Sequence, residues 1–215
     1  LDMTKYFTAI GEIRDDGTIT VEPGVYYRDF EKKTLEKRLI LPSYTASKNL
    51  CTVGGMVANN ASGELTLTYG DTSKYVRSLE IVLNDGKTYI FSALDKIELE
   101  KKLAQQDAEG ELYRKVITLV SENYDLIKNA KPKVSKNSSG YLLWNLWNHN
   151  TLNLAQVICG SQGTLGIVTK ITFNLVPFRT SHALVVLELR DLTPLPIIVN
   201  TMLSYKPARL FSEEA

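Results

Sequence analysis

The segment CTVGGMVANNASG, residues 51–63, limits the possible folds most, because almost none of its side chains is large enough to build a hydrophobic core. It contains three glycines and two adjacent asparagines. A tight bend needs only one or two glycines, so a run of this length indicates that something approaches the backbone closely. A second stretch of the same kind, GSQGTLG at 160–166, precedes an apolar run.

The spacing of the later glycines does not match the common nucleotide-binding loops. No Gly-Lys-Ser/Thr follows either stretch, so neither is a Walker A loop. Gly160, Gly163 and Gly166 precede a predicted strand, whereas the Rossmann pattern G-x-G-x-x-G joins a strand to a helix. Glycine lets backbone N–H groups reach a flat or phosphorylated ligand at about 3 Å. Two interpretations follow: both stretches line one elongated ligand, or they are two well-packed turns.

The overall composition excludes several classes of protein. The 215 residues carry a formal net charge of +1, so no field of one sign steers the chain to nucleic acid. No apolar run approaches the length that crosses a bilayer. The two cysteines, Cys51 and Cys159, cannot make a disulfide framework, and no His/Cys cluster has the spacing of a zinc site. We therefore expect a cytoplasmic protein, either free or peripheral to a membrane, with no bound metal.

The apolar pattern predicts an α+β fold, because strand and helix periods both occur and the hairpin signals are antiparallel. Residues 95–130 are predicted to be helical, with Leu112, Val116, Leu119 and Val120 in one apolar stripe. The other predicted elements, in chain order, are a strand at 17–24, an amphipathic helix in YRDFEKKTLEKRLIL that runs into a strand at 39–41, a hairpin around Asp85-Gly86, a loop at 131–140, a short helix in 141–158, a strand with Ile167, Ile171, Phe173 and Leu175 on one face, and a strand, turn and helix start after His182.

Three ordered motifs resemble one family of flavoenzymes. The segment PSYTASKNLCTVGGMVANNASGELTLTYGDTSKYVRSLEIVLNDG resembles the FAD-binding (PCMH-type) domain of enzymes related to vanillyl-alcohol oxidase, within it the glycolate oxidase and D-lactate dehydrogenase branch. KNSSGYLLWNL resembles the pattern K-N-x-x-G-Y-x-L of that branch. ICGSQGTLGIVTKITFNLVP resembles its V-G-S-E-G-T-L-G-I-V-T, with Gln162 in place of the usual Glu.

The resemblance implies a fold and a division into domains. Residues 1–180 would be the second subdomain of a PCMH-type FAD-binding domain, a mixed or antiparallel sheet flanked by helices. Residues 181–215 would begin a substrate-covering cap domain. LDMTKYFTAIGEI resembles the strand pair that follows the family's pyrophosphate loop, so we expect that loop and most of the cap to lie outside this chain. An edge normally covered by the preceding subdomain would be open to self-association.

The resemblance also implies FAD as the cofactor and a set of residues that contact it. Small residues of the first stretch would wrap the middle of FAD, and main-chain groups of the second would meet its adenine side and ring edge. The implied contacts are Pro42, Ser47, Cys51, Thr52, Gly54, Gly55, Asn60, Ala61, Gly63, Gly163, Gly166, Ile167 and Val168.

The implied reaction is oxidation of a small 2-hydroxy acid, of the glycolate or D-lactate type, by hydride transfer to flavin N5. The catalytic residues are expected in the cap, so none is assigned here, the electron acceptor stays unassigned, and the chain alone is expected to be inactive. Two alternatives are a non-redox FAD enzyme of the alkyl-ether-lipid synthase type and a flavin-free binding module.

Four further polar residues are weaker candidates. His149 reads as a surface or capping residue and His182 lies at the domain junction, so neither is a strong candidate for the catalytic base. Lys136 and Asn137 lie in the loop between the two FAD motifs, where a cation would stabilise negative charge at the flavin N1 edge. A solvated turn is the alternative for that loop.

Overall fold

A computed structural model describes residues 1–134, 137–181 and 183–207. The strands are β1 (Thr18–Val21), β2 (Leu39–Ile40), β3 (Val76–Val82), β4 (Thr88–Leu94), β5 (Leu152–Asn153), β6 (Ile167–Asn174) and β7 (Val176–Pro177). The α-helices are α1 (Tyr27–Leu35), α2 (Val53–Ala58), α3 (Thr66–Tyr69), α4 (Lys96–Ala104), α5 (Ala108–Glu122), α6 (Tyr124–Asn129), α7 (Ala155–Ile158) and α8 (Leu195–Ser204). Single 3-10 turns lie at Thr72–Lys74 and Leu143–Asn145.

The main sheet has the strand order β1-β6-β3-β4-β5, and its neighbouring strands pair antiparallel. β2 and β7 form a separate antiparallel pair. The predicted α+β class with an antiparallel sheet is confirmed. The hairpin at Asp85-Gly86 is confirmed too: Gly86 has a φ of 75°, and the Asp85 carboxylate accepts a hydrogen bond of 3.0 Å from the amide of Lys87.

The core lies between one face of this sheet and the helices that cover it. Phe173 on β6 is buried and meets Phe30 of α1 edge-on, with ring centroids 5.8 Å apart. On β4, Phe91 meets Tyr113 of α5 in the same way at 6.5 Å. Full burial of a large apolar side chain contributes roughly 1.5–3 kcal/mol, so these contacts fix the helices on the sheet.

The predicted apolar face of β6 is correct for Ile171 and Phe173, which are buried, but wrong for Ile167, which is 46% exposed. Lys170 pairs with Glu80 of β3, while Val168 pairs with Ile81, so β6 has one extra residue between these pairs. Such a bulge shifts the alternation of side chains by one position. Val168 therefore packs against the core in place of Ile167.

The predicted helical region 95–130 is three helices instead of one. Asp95 and Asp107 each cap a new helix: the Asp95 carboxylate accepts from the amide of Glu98 at 2.8 Å, and that of Asp107 from Gly110 at 2.9 Å. The prediction that Leu119 belongs to the apolar stripe of this region is wrong, because Leu119 is 57% exposed. The packed face is centred on Tyr113 and Val120 instead, because the Tyr113 ring faces the sheet.

Two other predicted elements differ. The predicted helix in 141–158 is a 3-10 turn, β5 and α7, because the Asn148 side chain accepts from the amides of Asn150 and Thr151 and turns the chain there. Residues 183–189 form no strand, since no described strand pairs with them. α8 follows as predicted.

Candidate functional site

The first glycine-rich stretch begins with an isolated antiparallel bridge between Thr52 and Tyr26 and continues as α2. The amide of Tyr27 donates to the carbonyl of Cys51, and the amide of Val53 donates to the carbonyl of Val25, each at 2.9 Å, which fixes the chain before the helix. Thr52 then caps α2, and its hydroxyl accepts from the amide of Gly55 at 3.2 Å. Because Thr52 lies between the two bonded neighbours, its own amide has no hydrogen-bond partner among the described residues.

The second glycine-rich stretch lies directly against the end of α2. The amide of Gly160 donates to the carbonyl of Val57 at 2.9 Å, and the amide of Gln162 donates to that of Ala58 at 2.9 Å. Gly160, Gln162 and Gly163 all have positive φ, between 54° and 86°. The structure thus brings together two segments that lie far apart in sequence, as one ligand lined by both would require.

The glycines divide into two groups by what surrounds them. A Cβ on Gly54 would lie 2.5 Å from the Cβ of Pro23, one on Gly63 would overlap the carbonyl oxygen of Tyr44, and one on Gly166 would lie 2.8 Å from Ile81. These three glycines are explained by packing within the chain. Gly55 and Gly163 are exposed, and a Cβ on Gly163 would meet none of the described atoms within 4 Å.

Asn60 is the most constrained polar residue of the site. It is fully buried and has a φ of 45°, a conformation that asparagine tolerates better than most residues. Its Oδ1 accepts from the amide of Ser73 at 2.9 Å, but its Nδ2 has no partner among the described residues. The buried hydroxyl of Ser62 is likewise unpaired.

These two buried groups are the test of whether the site fits a polar ligand such as FAD. An unpaired buried donor costs about 1–3 kcal/mol, so a native chain retains one mainly where something else satisfies it. Both Asn60 and Ser62 lie within the first stretch, and the Cβ of Asn60 lies 3.3 Å from the position of a Cβ on Gly160 in the second. Among the described residues, Gln105 and Tyr113 also have an unpaired buried polar atom, but they belong to the region of α4 and α5 and not to the glycine-rich stretches. The residues of the first stretch therefore fit a ligand with hydrogen-bond acceptors.

The motif KNSSGYLLWNL also contacts the second glycine-rich stretch. The carbonyl oxygen of Gly140 lies 3.7 Å from the position of a Cβ on Gly160, and the hydroxyls of Tyr141 and Thr164 lie 2.9 Å apart. All three motifs of the resemblance therefore converge in space. Gly140 and Tyr141 were not predicted as site residues, although the K-N-x-x-G-Y pattern contains them.

The loop that carries Pro42 and Ser47 is tied to the first stretch by side chains. The Thr72 hydroxyl is 3.0 Å from that of Ser43 and donates to the carbonyl of Ala61 at 2.7 Å. The Thr45 hydroxyl lies 2.8 Å from that of Ser47 and donates to the sulfur of Cys51 at 3.7 Å. Pro42 is buried, whereas Ser47 is exposed.

The remaining candidates lie elsewhere or outside the description. His149 is exposed, as expected, and its ring contacts that of Tyr124 at a tilt and that of Trp147 edge-on, with centroid distances of 4.1 and 4.4 Å. Cys159 is buried, and burial raises the pKa of its thiol, so it is a neutral core residue. Lys136 and His182 lie outside the described residues.

Comparison with known proteins agrees with the resemblance carried by the motifs. Residues 1–92 match the family described as FAD binding domain. The fold is similar to that of a solved structure: an alkyldihydroxyacetonephosphate synthase superposes with a TM-score of 0.51 at 18% identity, over 84% of this chain and 23% of that protein.

Curated proteins similar to this chain are named as hydroxy-acid dehydrogenases and oxidases. The chain is 27% identical over 209 residues to a D-2-hydroxyglutarate dehydrogenase of Pseudomonas putida, covering 96% of the chain and 21% of that protein. It is 28% identical to a D-lactate dehydrogenase of Archaeoglobus fulgidus, covering 93% and 31%, and 29% identical to glycolate oxidase subunit GlcD of Bacillus subtilis, covering 80% and 26%. The chain thus spans less than a third of each relative's length.

These comparisons confirm the resemblance seen in the motifs, including FAD as the cofactor of the family. In the part of the chain that the structure describes, no helix is long and apolar enough to span a membrane. The same part holds no group of three or more His, Cys, Asp or Glu side chains placed to bind a metal ion.

Proposed function

We propose that this chain is the flavin-binding core of an FAD-dependent enzyme that oxidises a small 2-hydroxy acid. The observation that carries the proposal is the convergence of the glycine-rich stretches beside the unpaired, buried Nδ2 of Asn60. The names of the curated relatives support the substrate class, since they act on D-2-hydroxyglutarate, D-lactate and glycolate.

The residues proposed to hold FAD are the thirteen positions that the resemblance implies, together with Ser62. Their roles differ with their surroundings. Thr52 and Gly163 offer amides that have no partner among the described residues, and Asn60 and Ser62 offer buried polar side chains. Gly54, Gly63 and Gly166 act indirectly, because their missing side chains let neighbouring segments pack closely and so set the shape of the site.

In the reaction, bound FAD supplies the acceptor for the hydride that leaves the hydroxyl-bearing carbon. This chain's own share is to bind and orient the cofactor through main-chain amides and short polar side chains. The described residues provide no group that we assign as the base for the hydroxyl proton. The electron acceptor and any self-association stay unassigned.

We further propose that residues 1–180 form the FAD-binding domain and that 181–215 begin another domain. α8 has no buried residue, and Leu184 and Val186 before it are exposed, so this segment shares little of the core. A cytoplasmic location, free or peripheral to a membrane, stays a prediction.

The proposal is tested on the whole protein, because the chain alone is expected to be inactive: it is titrated with FAD, the flavin fluorescence is followed, and D-lactate, glycolate or D-2-hydroxyglutarate is then added without oxygen. Saturable FAD binding and loss of the flavin absorbance with one of these acids are the expected results. FAD binding without such a loss would contradict the oxidation and favour the non-redox alternative. Absence of saturable FAD binding would contradict the flavin site itself.

A further inference from the structure

A cavity of about 310 Å³ lies between the turn at residues 70–74 and the segments 131–134 and 137–145. Lys74 and Lys131 line it, and neither makes an ion pair within the described residues. The side chains of Leu142 and Trp144 add an apolar wall. No residue of the cavity was among the FAD contacts implied by the resemblance.

The side chain of Lys74 lies along the backbone at Gly70. Its aliphatic chain lies across Gly70, where a Cβ would overlap the Lys74 ammonium and lie 2.7 Å from Cε. Gly70 also has a φ of 75°, which disfavours other residues. A glycine at this position therefore lets the lysine lie close to the backbone beside the cavity.

The cavity wall has an excess of positive charge. Asp71 is the single carboxylate among the lining residues, and it accepts a hydrogen bond of 2.6 Å from the Ser73 hydroxyl. The two lysines outnumber it. An ammonium beside a partly enclosed cavity binds an anionic group more strongly than one in open solvent, because the charges are less screened.

The cavity adjoins the proposed flavin site through a single residue. The Ser73 carbonyl accepts from Nε2 of Gln156 in the cavity wall at 3.0 Å, while the Ser73 amide donates to Oδ1 of Asn60 at 2.9 Å. A ligand in the cavity and a ligand at Asn60 would thus be held on two sides of the same turn.

We propose that this cavity binds a small organic acid, with its carboxylate at Lys74 and Lys131 and its carbon chain against Leu142 and Trp144. This inference rests on the proposed function, because the organic acid would be the 2-hydroxy acid substrate. Only non-covalent binding is involved, so the acid binds without FAD.

Trp144 provides the readout. In a Trp147→Phe background, Trp144 is the remaining tryptophan, and its fluorescence is titrated with D-2-hydroxyglutarate in the absence of FAD. Lys74→Gln and Lys131→Gln are each expected to weaken binding about tenfold, since each removes one charge-assisted contact. Lys37→Gln, at an exposed lysine after α1, is the matched control and should leave the affinity unchanged.

Three results would overturn the inference: equal affinity in the Lys74, Lys131 and Lys37 variants, equal binding of the uncharged dimethyl ester, or inorganic phosphate binding as tightly as the acid. FAD titration of the same variants separates the two proposals. Acid binding that depends on the lysines, with no FAD binding, contradicts only the flavin site. FAD binding without acid binding contradicts only this inference.

Discussion

The amide of Gly160 donates a 2.9 Å hydrogen bond to the carbonyl of Val57, and this bond joins the two glycine-rich segments of the chain. Gly160 has a φ of 86°, and a Cβ there would lie 3.3 Å from the Cβ of Asn60. The glycine therefore lets the second segment lie over the buried asparagine. The candidate cofactor site depends on this contact.

The two adjacent glycines of α2 are expected to respond differently to alanine. Gly54→Ala should lower the free energy of unfolding by about 1–3 kcal/mol, because the new Cβ meets Pro23 at 2.5 Å. Gly55→Ala should be close to neutral, because alanine favours the helix by about 1 kcal/mol while the new Cβ would lie 3.2 Å from the Thr52 hydroxyl, a tight contact. Urea unfolding compares the two variants. A larger loss for Gly55→Ala would contradict the packing described.

Ser62→Ala is expected to change FAD affinity and the free energy of unfolding differently. Removal of the unpaired buried hydroxyl should leave the free energy of unfolding unchanged or raise it by up to about 1 kcal/mol. FAD affinity should fall, because the ligand loses a polar contact. Parallel urea unfolding and FAD titration measure both. A destabilised variant with unchanged FAD affinity would show that the hydroxyl serves the fold.

Glu80 is expected to make stability depend on pH. The Thr169 hydroxyl, which donates at 2.8 Å, and then Lys170 lower the pKa of Glu80 below its usual 4.5. The unfolded chain therefore binds this proton more tightly, so the contribution is present above pH 4.5 and is lost as the pH falls through the lowered pKa.

Urea midpoints at pH 7 and at pH 3 test this for Glu80→Gln, with Glu36→Gln at an exposed site as the control. Glu80→Gln should lower stability at pH 7 and reduce the difference between the two pH values. The idea fails if both variants show the same pH dependence as the unchanged protein.

The two cysteines are expected to differ in reactivity. Cys159 is buried with a raised pKa, so its thiol should not react with a thiol reagent until the protein unfolds. Cys51 is half-buried at the proposed flavin site, so it should react in the folded protein, and FAD should slow that reaction. Reaction with Ellman's reagent, with and without FAD, is the measurement. Equal rates for both thiols would be inconsistent with the structure.

Elements set by local signals were predictable from the sequence. Asp85-Gly86 specifies its own turn, and the charges of α1 specify its outward face. The bulge in β6 was not predictable, because the register of Val168 is set by pairing with Ile81 on a distant strand. The exposure of Leu119 likewise depends on which face Tyr113 turns to the sheet.

The candidate site was predictable only in part. The spacing of the glycines was also compatible with two packed turns that bind no ligand. FAD was implied only by the resemblance to a family. The sequence did not distinguish Gly54 and Gly166, which serve packing, from Gly55 and Gly163, which are exposed. That difference depends on neighbours such as Pro23, which come from other parts of the chain.

The most direct test of the flavin site is the FAD affinity of Asn60→Asp beside that of Asn59→Asp. The Asn60 variant keeps the acceptor for the Ser73 amide and loses the unpaired donor, whereas Asn59 is exposed and controls for the added charge. We predict that Asn60→Asp weakens FAD binding at least about tenfold, the effect of losing one hydrogen bond to a ligand, while Asn59→Asp binds like the unchanged protein. Equal FAD affinity in the two folded variants would contradict the account.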